Sequence, residues 1–348
     1  MHGDVKAGLL TLIAHARDAG WSTRQACRVL DVDPERVRRW RRRRRDGAGL
    51  VDARPGGAVH GILPAERDAI LTLAEKWGQT DRSHRKLAHR GSRLNLVHVS
   101  ESTVLRVLTS EGLVLPGHGA REPAVAAPWP DWVAWKPNTI WCYDFTHFTR
   151  AKRVAVAVMD VVSRYWLTSL VSAEETSTQV EVAFTHALES AGLDQLLDHR
   201  LLAALRSGEV DVDALDDGQL PVLLAMSDNG PQMRSHTTRE FMAACAIMQR
   251  FGRPATPSDQ AWTESLFSHV KGEWSHLERI RDPHELALEL ERVRAEYNTV
   301  RLHAGIGYVT PDDEHHSRGE SLRQRRDGLA AARTARLQYH RNRTKQTQ

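Results

Sequence analysis

Three acidic residues stand where an acid needs a reason. Asp144 interrupts "NTIWCYDFTHF", with Trp141, Tyr143 and Phe145 around it. A carboxylate in the middle of an aromatic-rich strand is costly to bury unless it is paired or binds a cation. Asp228 closes the apolar run "VLLAMSDNGPQM". By itself Asp-Asn-Gly is a turn signal, because these residues accept the backbone angles that tight turns require. If the strands carrying Asp144 and Asp228 are neighbours, both carboxylates emerge at one edge, and like charges that close require a cation. Glu264 in "SDQAWTESLFSHVKGE" lies two residues off the stripe Trp262, Leu266, Val270, Trp274 and Leu277, so it shares a polar helix face with Ser268 and Lys271. Alone it is an ordinary exposed glutamate.

The elements that must position these acids follow from periodicity. "NTIWCYDFTHF", "RVAVAVMDVVS" and "RYWLTSLVS" are consecutive β-rich runs with short breaks, which predict an antiparallel meander. A helix over "STQVEVAFTHALESAG" follows, then an acidic stretch, then the strand ending at Asp228. "TTREFMAACA", residues 259–279 and "PHELALELERVRAEYN" are expected as helices. Together they predict an α/β layer. Ahead of it, Ser22 caps "STRQACRVL" and Pro34 opens "PERVRRWRRRRR", two helices across a tight turn with a basic second member. That pattern matches a helix-turn-helix.

The formal charge of +4 conceals an asymmetry. Residues 1–120 hold 21 Lys and Arg against 13 Asp and Glu, residues 318–348 hold 9 against 2, and the middle holds 18 against 29. Basic ends suit a polyanion, since neutralised phosphates release counterions. An acidic middle repels the same polyanion unless something positive, such as a divalent metal, sits between. Arg38, Arg39 and Trp40 are candidates for entering a DNA groove, and Arg41, Arg42 and Arg43, within the run 41–45, for gripping phosphates. A solvated charged helix or a basic arm is the alternative. No stretch approaches the roughly 18 apolar residues of a membrane helix, and no apolar signal core opens the chain. A cytoplasmic, nucleoid-associated protein without membrane contact is expected. Cys27, Cys142 and Cys245 are too scattered for a disulfide framework or a zinc site and are expected as reduced, buried thiols.

Between Asp228 and Glu264 lie 35 residues. With "WCYDFTHF", "SDNGPQM", "SDQAWTESLFSHVKGE" and the closing "YNTVRLHAGIGYVTP" in that order, residues 120–312 resemble bacterial insertion-sequence transposases with a retroviral-integrase-type catalytic core. The resemblance implies a ribonuclease-H-like fold, a mixed five-stranded sheet with flanking helices, preceded by all-α helix-turn-helix domains. It implies Asp144, Asp228 and Glu264 as catalytic, metal-ligating acids. Mg2+, as two ions that Mn2+ can replace, prefers such oxygen ligands and suits in-line displacement at phosphorus. The implied activity is metal-dependent cleavage and strand transfer, with double-stranded DNA, both element ends and target, as partner and a homo-oligomer assembled on it. A catalytically inactive DNA-binding regulator and a purely hydrolytic nuclease are the alternatives.

The expected domains are a helix-turn-helix at 1–46, a linker at 47–61, a second helix-turn-helix-like or packing module at 62–115, a linker at 116–136, the core at 137–312 and a basic tail at 313–348. The 83 residues between Asp144 and Asp228 exceed the family pattern, and the surplus is an acidic insertion at 193–219. Asn229 and Gly230 are expected to shape the turn presenting Asp228, and Lys271 to reach a phosphate near the metals. Asp160 is expected to be structural. Asn298, Arg301 and His303 could anchor the last helix or touch DNA, and "DDEHH" at 312–316 is expected at the surface rather than on a metal.

Overall fold

Side-chain oxygens start the N-terminal helices. In the computed structural model, which describes residues 3–47, 49–52, 60–114, 129–215, 221–252, 261–324 and 328–346, Ser22 makes a capping box with Gln25 at the head of α2 (Thr23–Val29), after α1 (Gly3–Asp18). Asp33 accepts the Glu35 N–H at 2.7 Å and opens α3 (Pro34–Arg45). Such caps satisfy amides that the first helical turn leaves unpaired. The three helices bury Leu10, Ile13, Ala26, Cys27, Val37 and Trp40. Lys6 threads the packed side of α1 and donates to the Leu50 carbonyl at 3.0 Å. Residues 49–52, expected as plain linker, are therefore tied to this small core, while 48 and 53–59 lie outside the described residues. The described residues divide into two compact units, the first ending at Gly61 and taking in the chain from Arg336 on, the second running from Ile62 to Ala335.

In the second unit α4 (Pro64–Trp77), α5 (His84–Arg93) and α6 (Glu101–Ser110) close over Ile70, Leu73, Leu87, Val97, Val104, Val107 and Leu108. Gly91 is the point of closest approach: a Cβ there would meet Leu73 and Val97 side-chain carbons at 2.9 Å.

The sheet follows. β1 (Ile140–Phe148), β2 (Arg153–Asp160) and β3 (Trp166–Ser172) form the expected antiparallel meander. After α7 (Ser177–Ser190) and α8 (His199–Ser207), β4 (Leu223–Ser227) pairs with β1 in parallel. The short α9 (Pro231–Arg234) and α10 (His236–Ala244) lead to β5 (Ile247–Phe251), parallel to β4. The order is β3-β2-β1-β4-β5. A mixed five-stranded sheet with its meander on one side and helices on both faces is the ribonuclease-H-like fold.

Successive strand residues point to opposite faces. Trp141, Tyr143, Val156, Val158, Leu223 and Ala225 pack with α7, α8 and α10. Ile140, Cys142, Ala157, Met159, Leu224 and Met226 pack with α11 (Ala261–Glu273) and α12 (Pro283–Thr299). Burial on both faces explains why β2 and β4 are nearly continuous apolar runs. The predicted helix over 259–279 is shorter: α11 stops at Glu273, and Ser275–Arg279 is a 3-10 turn that still buries Leu277. The insertion rides on the α10 face. Leu202 and Leu205 of α8 enter that core, and the Asp198 amide donates to Ala244 O at 2.9 Å. β4 keeps its place between β1 and β5, so the described part of the insertion displaces no strand; residues 216–219 lie outside the described set. Beyond α12 come α13 (Pro311–His315), α14 (Gly319–Gln324) and α15 (Gly328–Gln346), so the predicted tail includes helices. Among the described residues no helix is long and apolar enough to cross a membrane.

Candidate active site

Parity and register bring two of the three acids together. Asp144 continues the series Ile140, Cys142 towards the α11 face, and Asp228 continues Leu224, Met226 on the adjacent strand. Asp144 is half-buried and accepts the Phe145 amide at 2.8 Å. Burial pushes its carboxyl up to about 6, the nearby negative charge of Asp228 adds to the rise, and the Phe145 amide and a hydrogen bond with Thr263 oppose it. Thr263 is buried on α11. This hydroxyl was missed from sequence although it immediately precedes Glu264; its burial beside an exposed acid is a tertiary fact.

Asp228 leaves β4 into a turn that its own side chain braces. Its Oδ1 accepts the Gly230 amide at 3.0 Å, while Asn229 Nδ2 donates to Gly252 O at 2.6 Å, fastening the turn to the end of β5. Gly230 holds φ −56°, an ordinary value, so its smallness serves space: a Cβ would meet Asp228 Oδ1 at 3.0 Å and the Gln232 side chain at 2.8 Å. Behind the acids, Gln249 Nε2 donates to Tyr143 Oη at 3.3 Å and to Met233 O at 3.0 Å, linking β5, β1 and α9.

Glu264 is exposed in the first turn of α11, on the same sheet face as the two Asp residues. Among the described residues, no three His, Cys, Asp or Glu side chains lie close enough to hold one metal ion. Residues 253–260, immediately before α11, lie outside the described set. Glu175, which carried no sequence signal, lies within electrostatic reach of Asp144 and pairs with His147 at 2.9 Å.

Other expectations separate. Trp40, expected in a DNA groove, is buried with Val37 three residues earlier; the helical period that exposes Arg38 and Arg39 turns the indole into the core. Arg38 is exposed and bonds Glu35 at 2.7 Å; Arg42 is exposed, Arg41 half-buried, and Arg43 donates to Val51 O at 3.1 Å. Lys271, expected near the acids, donates to His147 O at 2.8 Å and pairs with Glu278 at 3.0 Å. Its ammonium is drawn to the far end of β1, because that carbonyl and carboxylate lie within its reach. Asp160 is structural: fully buried, it accepts from the Ser163 amide and hydroxyl at 2.6 and 2.7 Å and from the Asn138 amide at 2.7 Å.

Asn298 and Arg301 prove to be anchors. Asn298 brackets Trp166, accepting its amide at 2.8 Å and donating to its carbonyl at 2.9 Å. Arg301 grips Glu273 with bonds of 2.7 and 2.8 Å and reaches His303 at 2.8 Å. Burial alone would raise the Glu273 carboxyl, yet Arg301 and His269 hold it well below its ordinary range. The "DDEHH" segment is not simply surface. Asp313 is buried and pairs with Arg93 of α5 at 2.5 Å; His315 stacks on Tyr165 and bonds Ser163 at 2.9 Å, and burial lowers its pKa to about 4. With Arg90 donating to Val300 O at 2.7 Å and His89 stacked on Tyr308, these contacts seat the α4–α6 module on the sheet domain.

Residues 246–311 match the integrase core domain family, and residues 9–51 match a homeodomain-like domain family. Over residues 246–311 the chain is similar to integrase core domains. The integrase match spans β5, α11 and α12 and so contains Glu264, while Asp144 and Asp228 come from the meander and β4 ahead of it. The homeodomain-like match spans most of α1, all of α2 and α3, and reaches Val51. Among solved structures, the chain is similar to one from the simian T-cell lymphotropic virus intasome in complex with PP2A regulatory subunit B56 gamma, at 17% identity over 70% of this chain and 74% of that one, TM-score 0.40. It is also similar to the catalytic core domain of BIV integrase, at 18% identity over 53% of this chain and 97% of that one, TM-score 0.37. No curated protein matches significantly. An integrase core behind a homeodomain-like domain agrees with the resemblance to insertion-sequence transposases.

Proposed function

We propose that this integrase-core protein is a transposase that binds the ends of a DNA element and catalyses metal-dependent strand cleavage and strand transfer. One observation carries the reading: Asp144 on β1 and Asp228, the residue that follows β4, lie within electrostatic reach of each other at neighbouring parallel strands, and Asp144 bonds Thr263 on the helix that bears Glu264. The donor chemistry fits a hard divalent cation. Two close carboxylates, one with its proton affinity raised by burial and by the other's charge, form an all-oxygen site that favours a cation in place of the proton. Asp144, Asp228 and Glu264 would hold Mg2+, two ions in the full site, or Mn2+ in its place. When bound, the metal supplies Lewis acidity to the attacking and leaving oxygens of a phosphodiester.

Thr263 and the Phe145 amide orient Asp144, and the Asn229–Gly230 turn fixes Asp228. Glu264 joins the pair from α11. Water and then a DNA 3′-hydroxyl serve as nucleophiles, so no Ser or Tyr of the chain has to attack. Arg38 and Arg39 of the homeodomain-like domain enter a DNA groove, Arg41, Arg42 and Arg43 contact the phosphates of the element ends, and joining two ends calls for an oligomer on DNA.

A catalytically inactive DNA-binding regulator is the second reading, favoured by the exposed Glu264 and by the lack, among the described residues, of a three-acid cluster. A cleavage and joining assay with Mg2+, on DNA carrying the ends that flank the gene, separates the two. The transposase gives nicked and then joined product, lost in Glu264→Gln with DNA binding retained. Tight binding without cleavage by the wild type establishes the regulator instead.

A further inference from the structure

A cavity of about 410 Å3 opens between the start of α5, the first turns of α11 and the segment 301–305. Four cationic side chains line it, Arg82, Lys86, Arg164 and Arg301, against a single carboxylate, Glu273. That carboxylate is already taken by Arg301 and by His269 at 3.2 Å. His303, also in the wall, adds no further positive charge, since burial and Arg301 push its pKa well below the ordinary histidine range.

Two of the cations lack a counterpart. Lys86 makes no hydrogen bond or ion pair among the described residues. Arg164 lies 3.7 Å over the Trp262 ring, which covers the plane of its guanidinium and leaves the N–H edges. Its Nη1 is buried with no hydrogen-bond partner among the described residues. Asp160 is near enough to be felt electrostatically, but Ser163 and Asn138 engage its oxygens. Arg164 is also delivered by a backbone at φ +65°, a costly conformation for a non-glycine residue that persists only where the surroundings enforce it. A buried guanidinium edge without a partner calls for an acceptor.

We propose that this cavity binds a phosphate group, whose oxygens take the free edge of Arg164 and the Lys86 ammonium. Phosphate answers both demands, being anionic and rich in acceptors. Ala261, Trp262 and Ser265 of its lining flank Glu264 on α11, so a DNA strand drawn to Glu264 passes close to the cavity. Only this assignment of the source rests on the function proposed above.

The test is calorimetric titration of the full chain with inorganic phosphate, for wild type, Lys86→Gln and Arg164→Gln, with a thermal melt of each to verify folding. Saturable binding by the wild type, weakened at least tenfold by Lys86→Gln, is the expected result. Arg164→Gln is the more disruptive change, and Lys86→Gln, which removes no contact, keeps the question answerable if that variant fails to fold. No saturable binding by the wild type, or an unchanged affinity in Lys86→Gln, overturns the proposal. Duplex DNA then separates the sources. If duplex competes with phosphate and Lys86→Gln reduces the slope of log affinity against log salt by about one, the phosphate belongs to DNA. If duplex binding is unaltered while phosphate binding is lost, the cavity serves a free phosphate-bearing molecule and the DNA assignment is withdrawn. The phosphate titration involves no cleavage, so its failure leaves the transposase reading standing, and an inactive enzyme leaves the cavity standing.

Discussion

Asp144 on β1 and Asp228, the first residue beyond β4, come off neighbouring parallel strands near the same level: Cys142 lies opposite Met226, and each acid follows its partnered residue by two positions. Their closeness is thus a property of the sheet register. A one-residue slip of β4 would turn Asp228 to the α10 face and bury Met226 where Ala225 now sits.

Holding an ionised Asp144 there costs stability in the metal-free chain. Its folded pKa, about 6, lies above the ordinary 3.8, so the cost is absent when the group is protonated in both states and grows as pH rises from about 4 through 6. Asp144→Asn is expected to stabilise the metal-free chain at pH 7.5 by on the order of 1–3 kcal/mol, with the gain vanishing below pH 4. Urea unfolding at both pH values measures this. Mg2+ is expected to raise the melting temperature of the wild type and not of the variant; equal shifts in both would remove Asp144 from the metal site.

The Trp166 bracket provides a separate check on the fold. Asn298 satisfies a buried amide and a buried carbonyl at the start of β3. Asn298→Ala leaves both unpaired, and a loss of about 2–4 kcal/mol is expected, measured by urea unfolding. Binding of DNA to the homeodomain-like domain should not change. A loss below 0.5 kcal/mol would mean that water replaces the side chain.

Much of this is legible in the amino-acid sequence. The β-meander, the helix starts marked by Ser22 and Pro34, and the structural character of Asp160 follow from local periodicity and from the place of Asp160 where the second strand turns into the third. The groove expected for Trp40 gives way to the core because its spacing of three from Val37 sets its face, which the eight surrounding arginines obscure in the sequence. The roles of Thr263, Glu175 and Arg164 were not legible, since each depends on which distant element packs beside it. Lys271 was placed on the correct helix, but its reach to His147 O is set by how α11 lies across β1, which no helical period encodes.

In α3 the two kinds of residue can be told apart by experiment. Trp40→Ala removes a buried ring from a six-residue core and is expected to destabilise the homeodomain-like domain by about 3–5 kcal/mol, seen as an earlier unfolding transition. Replacing Arg38, Arg39 and Arg42, all exposed, with Ala is expected to leave melting within about 0.5 kcal/mol of the wild type and to flatten the salt dependence of DNA binding. An unchanged salt slope would make these arginines bystanders.

Lys86 ties stability to the proposed phosphate site. Burial, reinforced by the Arg301 charge, lowers its pKa from the ordinary 10.5 to about 8. Below pH 8 the folded chain therefore carries a poorly solvated ammonium that the unfolded chain hydrates freely. This cost is complete at neutral pH and disappears as pH rises from about 8 to above 10.5, where the group is neutral in both states. Lys86→Met is expected to stabilise the chain at pH 7 by on the order of 1–3 kcal/mol, with the gain shrinking by pH 10. Inorganic phosphate should raise the melting temperature of the wild type at pH 7 more than that of the variant, because only the wild type has an ammonium to neutralise. A gain identical at pH 7 and pH 10 would trace the stabilisation to packing of the methionine and remove the charge from the account.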